Sequence, residues 1–129
     1  MTLRSTLFSV LVTAGLAASP ALAFQSQNGF TVRQIDNQQF EVRSRGGLGN
    51  SDAWCAAGDF VIRGLRLPRN TQVFRISEPP RRSGQGIVFS ISSQGAASST
   101  GLVGSGGASV SASHGQSLCQ TLELMRRNR

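Results

Sequence analysis

The chain has 129 residues and sets 13 basic side chains, every one an arginine, against six carboxylates, for a formal charge of +7. A single histidine rules out a metal centre built on clustered histidines, and no D-x-D-x-D-G loop or dense carboxylate cluster offers calcium ligands, so neither metal nor other cofactor is expected. Arginine without lysine fits planar, bidentate recognition of phosphate or carboxylate groups, and codon bias accounts for it equally well.

Met1 to Arg4 carry one positive charge and run into the apolar stretch Leu7 to Ala18, followed by Pro20 and the small-residue site Ala21-Leu22-Ala23. A basic start, a short apolar core, a helix breaker and a small-x-small site are the order of a secretory signal peptide, with cleavage expected after Ala23. The apolar run is shorter than the roughly 20 residues a bilayer crossing needs, which speaks against a membrane anchor. Residues 24–129 are then expected to form a single exported α+β domain, periplasmic or extracellular, without a transmembrane anchor.

Phe30 to Ile35 and Phe40 to Ser44 alternate apolar with polar residues and flank the turn Asp36-Asn37-Gln38-Gln39, the pattern of a β-hairpin. Phe30, Val32, Phe40 and Val42 fall on one face. Thr31, Arg33, Glu41 and Arg43 fall on the other, where opposite charges can pair across the strands. After Gly46-Gly47-Leu48-Gly49, residues Ser51 to Ile62 read as a helix of about three turns with Ser51 as N-cap and Asp52 favoured by the N-terminal dipole. Ala53, Ala57 and Phe60 line one stripe of it and Cys55 points elsewhere. Gly58, mid-helix, suggests a second backbone passing close by, a misplaced helix end being the alternative.

Thr71 to Ser77 and Gly86 to Ile91 are two further strands, joined by the proline- and glycine-containing connection Glu78 to Gln85. Serine, glycine and alanine dominate residues 92–117, and the stretch at about 92–113 is expected to be a largely mobile loop, with Gly107 to Ser113 able to add a weak edge strand. His114 to Arg127 reads as a closing helix with Leu118, Leu122 and Met125 at i, i+4, i+7, and with Ser113 and Gln116 resembling a capping box. The order of elements gives an α+β class: an antiparallel sheet of two hairpins, a central helix and a C-terminal helix, plus a signal-peptide helix.

Export places Cys55 and Cys119 in an oxidising compartment, where one disulfide is the expected state. It would restrict the unfolded chain by about 4 kcal/mol in the loop-entropy model. If it forms, the C-terminal segment must cross the outer side of the central helix. A redox-active pair is the alternative, but there is no C-x-x-C motif.

Arg63, Arg66, Arg69, Arg81 and Arg82, joined by the C-terminal arginines, are the candidate anion-binding residues, for an anionic polymer or envelope surface. Exposed aromatic rings for base stacking are in short supply. No catalytic residue is assigned. The residue types of a secreted hydrolase such as a small ribonuclease are present in Glu41, His114 and the arginines, but no spacing brings them together, and no G-x-S-x-G elbow is present. The expected role is therefore non-enzymatic, structural or binding. The segment Trp54-Cys55-Ala56-Ala57-Gly58-Asp59, between two hairpins and followed by a C-terminal cysteine, resembles small exported bacterial proteins of unassigned function that share a W-C-x-A-G-D/E run. That resemblance implies compartment, disulfide and fold, with no activity attached.

Overall fold

Residues 23–129 are described in the computed structural model; the predicted signal sequence, save its last residue, lies outside them. Apolar–polar alternation produces the first hairpin as expected. Strands β2 (Thr31–Gln34) and β3 (Gln39–Val42) pair antiparallel, with Val32 opposite Val42 and Arg33 opposite Glu41. Phe30, Val32, Phe40 and Val42 are buried, and Arg33 and Glu41 pair at 3.5 Å on the outer face. Asp36 closes the turn by accepting the backbone N–H groups of Gln38 and Gln39, both at 2.8 Å. A two-residue strand that the alternation did not reveal, β1 (Phe24–Gln25), adds to the β2 edge.

The second hairpin, β4 (Gln72–Arg75) and β5 (Ile87–Ser90), joins the first through β5 on β3. A short strand β6 (Ser109–Ser111) completes the other edge by pairing with β4, as the small residues there permit. The result is a six-stranded antiparallel sheet in the order β1-β2-β3-β5-β4-β6. With helices α1 (Asn50–Asp59) and α2 (Ala112–Arg127), the fold is α+β.

Helix α1 starts one residue before the expected N-cap. Gly49 is the cap, Ser51 lies inside the first turn, and the Asp52 carboxylate accepts the Gly49 N–H at 3.1 Å. Asn50 is drawn into the helix because its side chain bridges to other elements, donating to the Gly101 carbonyl at 3.0 Å and accepting from Arg75 at 2.8 Å. The helix runs through Gly58 to Asp59 and continues as a π-helical turn over Phe60–Gly64, so Gly58 is not a helix end.

Every α1 residue from Ala53 to Asp59 is buried, because the sheet covers one side and α2 the other. On the sheet side, Trp54 meets Phe89 edge-on at 4.7 Å between centroids, and Phe60 meets Phe40 at the same distance. On the far side Cys55 is bonded to Cys119 with Cα atoms 5.0 Å apart, and α2 crosses the outer face of α1 as the disulfide demands. A Cβ added at Gly58 would lie 2.4 Å from the Ala112 carbonyl oxygen, and one at Gly115 would lie 2.7 Å from that of Trp54. The two glycines let the helix backbones touch.

Two expectations for α2 are corrected. Its N-cap is Ser111, whose hydroxyl accepts the His114 N–H at 3.2 Å, whereas Gln116 turns inward to Asp59. The buried stripe is Ala112, Gly115 and Cys119; Leu118 is only partly buried and Met125 is exposed, because contact this close admits only small side chains.

Residues 92–108 form a loop, but one whose middle packs on the core. Thr100 is fully buried, its carbonyl accepts the Trp54 indole N–H at 3.0 Å, and Ala97 donates to the Arg75 carbonyl at 2.8 Å. Composition missed this because the order comes from partners elsewhere in the chain, not from the loop's own apolar content. Gly101 holds φ +76°, and a Cβ there would press within 2.9 Å of Arg75, so both conformation and space require glycine.

Gly58→Ala gains about 1 kcal/mol of helix propensity yet forces the helices apart. A net loss of about 1 to 3 kcal/mol is expected in urea unfolding of the oxidised protein. Gly106→Ala, where an added methyl meets open space, is the control and should leave the midpoint nearly unchanged.

Candidate anion-binding surface

Carboxylates here are engaged within the fold. Asp36 and Asp52 cap local backbone, Glu41 pairs with Arg33, and Glu123 lies 3.9 Å from Arg127. Glu78 accepts the N–H and the hydroxyl of Ser98, both at 2.7 Å, which hold its carboxyl below the usual range. Asp59 is fully buried and receives Arg63 Nε and Nη2 at 2.6 Å each, the Gln27 N–H and side-chain amide at 3.0 Å, and Gln116 at 3.2 Å. Burial by itself would push its carboxyl up; the bonds from Arg63, Gln27 and Gln116 outweigh that and hold it at about 2. With both oxygens filled, Asp59 ties the β1–β2 turn, the π-helical turn and α2 together and has no capacity left for chemistry.

Arginines are distributed differently. Among the described residues, Arg43, Arg45, Arg66, Arg69, Arg75, Arg81, Arg82, Arg126 and Arg129 belong to no salt bridge. The five arginines singled out from the sequence fall into two groups on the chain. Arg63, on the π-helical turn, is committed to Asp59 and lies over the Phe24 ring at 5.3 Å, and its pKa is raised by that hydrogen-bonded pairing. Arg66 follows in the left-handed region at φ 54°. Arg69 lines a shallow polar groove with Gln27, Ser113, Gln116, Ser117 and Gln120.

Arg81 and Arg82 lie on the β4–β5 connection. Arg81 lines a cleft of about 430 Å³ that also holds Arg43, Arg75, Glu41 and Glu78, and is braced there by the Gln85 carbonyl at 3.0 Å. None of the other four sequence-selected arginines lines that cleft.

Arg75 was not singled out from the sequence, since its place in a strand hides its burial. Its Nε donates to the Ser77 carbonyl at 2.7 Å, its Nη1 to Asn50 at 2.8 Å and to the Thr100 carbonyl at 3.1 Å, while Nη2 has no partner among the described residues. Burial lowers its pKa, opposed by the nearby charge of Glu78. Arg75 thus fastens the loop over the sheet with neutral acceptors, a costly arrangement for a buried cation.

His114 lines a separate cleft of about 480 Å³ with Ser51, Asp52, Ser105, Leu102 and Leu118. A serine, an aspartate and the histidine share this cleft, whereas Glu41 lines the other one with Arg43, Arg75 and Arg81. Nevertheless, among the described residues the His114 ring makes no hydrogen bond, and Asp52 is turned to the Gly49 N–H. An acid–base pair needs a mutual hydrogen bond and a group that orients the base, and neither is present. No group of three or more histidine, cysteine or carboxylate side chains among the described residues is placed to hold a metal ion.

The low pKa of Asp59 has a signed consequence. Its stabilisation is complete above about pH 4, the unfolded-state range, and is lost as pH falls through about 2. Between about pH 5 and pH 2 the oxidised protein should lose roughly 2 kcal/mol through this group, and Asp59→Asn should remove that part of the acid limb in unfolding curves measured across the window. Compared with protein-family models, curated proteins and solved structures, the chain matches none.

Proposed function

We propose that this protein is an exported, disulfide-closed domain with a non-enzymatic binding role, in which residues 1–23 are a signal peptide and residues 24–129 a single domain that attracts anionic polymers or envelope surfaces. The observation that carries this reading is the asymmetry of charge use. The carboxylates are each engaged by backbone, serine or arginine partners, with Asp59 the one that is buried, while most arginines have no carboxylate to neutralise them. The field outside such a molecule is positive, and it concentrates polyanions.

One further feature supports it. A disulfide between Cys55 and Cys119 suits an oxidising compartment. Among the described residues no helix is long and apolar enough to cross a membrane.

Titration of the oxidised protein with a heparin-like polymer and with RNA should give micromolar binding at about 150 mM salt, weakening steadily as salt rises. Arg81→Gln with Arg82→Gln, and separately Arg66→Gln with Arg69→Gln, should each weaken it. Absence of binding to either polymer even at low salt would overturn the reading. Export is checked independently: the protein recovered outside the cytoplasm should begin at Phe24.

A further inference from the structure

The second half of α2 lines an open cleft of about 730 Å³ with Gln27, Asn28 and Gly29 of the β1–β2 turn. The buried residues of this helix, Ala112, Gly115 and Cys119, all lie in its first half, against α1. Beyond the disulfide, Gln120 to Arg127 extends about 12 Å at 1.5 Å per residue without a single buried side chain. Leu124 and Met125 are each 61% exposed there. Two turns of helix are too short to be stable in water by themselves; here they continue the helix that the cross-link at Cys119 fastens to α1.

The chemistry of this extension is mixed in a specific way. Its apolar groups are aliphatic, and Arg126, Arg127 and Arg129 surround them with Glu123 as the sole nearby acid, itself 3.9 Å from Arg127. Leu118, two turns inward on the same flank as Met125, lines a cleft with the fully exposed Val103, so the apolar flank continues along the helix toward the 101–105 loop. A second copy of this chain is a poor cover, because it brings the same excess of positive charge. Nucleic acid is also a poor match, since no aromatic ring stands on this surface to stack a base. A cationic rim around exposed aliphatic side chains is complementary to anionic headgroups above acyl chains.

We propose that the free end of α2 is a docking surface for a membrane leaflet rich in anionic lipid. Leu124 and Met125 enter the headgroup boundary, and Arg126, Arg127 and Arg129 pair with lipid phosphates. The proposal rests on the anion affinity argued above and adds to it a lipid-specific, apolar component.

The test is co-sedimentation of the oxidised protein with vesicles of mixed phosphatidylcholine and phosphatidylglycerol, against vesicles of phosphatidylcholine alone, with heparin binding measured in parallel. Binding to the mixed vesicles only is expected. Leu124→Ser with Met125→Ser should weaken it about tenfold or more, while leaving heparin binding and thermal stability unchanged because both side chains are exposed. Arg126→Gln with Arg127→Gln should weaken it as well. Heparin or RNA binding without vesicle binding, or vesicle binding untouched by the Leu124 and Met125 changes, overturns this inference and leaves the general anion affinity standing. Failure of both polymers and vesicles overturns the two together.

Discussion

The backbone contact between α1 and α2 is the constraint on which the rest of the molecule depends. Gly58 and Gly115 remove the side chains that would separate the helices, and Cys55 and Cys119 lock the crossing one turn away on each. With α2 seated this closely, α1 has no solvent face, and its run of small residues becomes intelligible. A larger residue at Ala53, Ala56 or Ala57 would meet the sheet or the second helix, since all three are fully buried.

That contact also explains the hexapeptide Trp54 to Asp59 residue by residue. Trp54 fills the sheet side against Phe89 and anchors the loop through Thr100, Cys55 carries the cross-link, and Gly58 admits α2. Asp59 then gathers Gln27, Arg63 and Gln116 from three different elements. A buried carboxylate left without donors would be severely destabilising; fully hydrogen-bonded, it fixes the geometry of what surrounds it. The motif that looks most like a functional signature is therefore the lock of the fold. The proposed anion- and lipid-binding groups lie outside it, on the arginine-bearing connections and on the free end of α2.

Arg75 plays a comparable part at the other end of α1, and with less complete satisfaction. It holds Asn50, Ser77 and Thr100 at one point, so the first turn of α1 and the serine- and glycine-rich loop are fastened to the same strand. The loop is ordered by a cation and an indole N–H from outside it, neither of which registers in its own composition, together with its own Gly101 in the left-handed region.

Local physics was legible in the sequence wherever one residue's neighbours decide its environment. Period-two alternation located the first hairpin and β-branched and aromatic content the strands of the second, turn chemistry placed Asp36, glycine inside a helical stretch foretold a close backbone approach, and the cysteine count gave the only possible pairing. What only the tertiary structure decided were matters of partnership across the chain. The strand order β3-β5-β4-β6, the inward turn of Gln116, the burial of Arg75 and Thr100 and the choice of small residues as the stripe of α2 all depend on which surfaces meet. Candidate arginines could be named from charge alone, but not sorted into those paired with a carboxylate, such as Arg63, and those in no salt bridge, such as Arg81 and Arg82. Sorting them requires knowing where the carboxylates point, and a carboxylate's partner is set by through-space distance, which sequence separation does not encode.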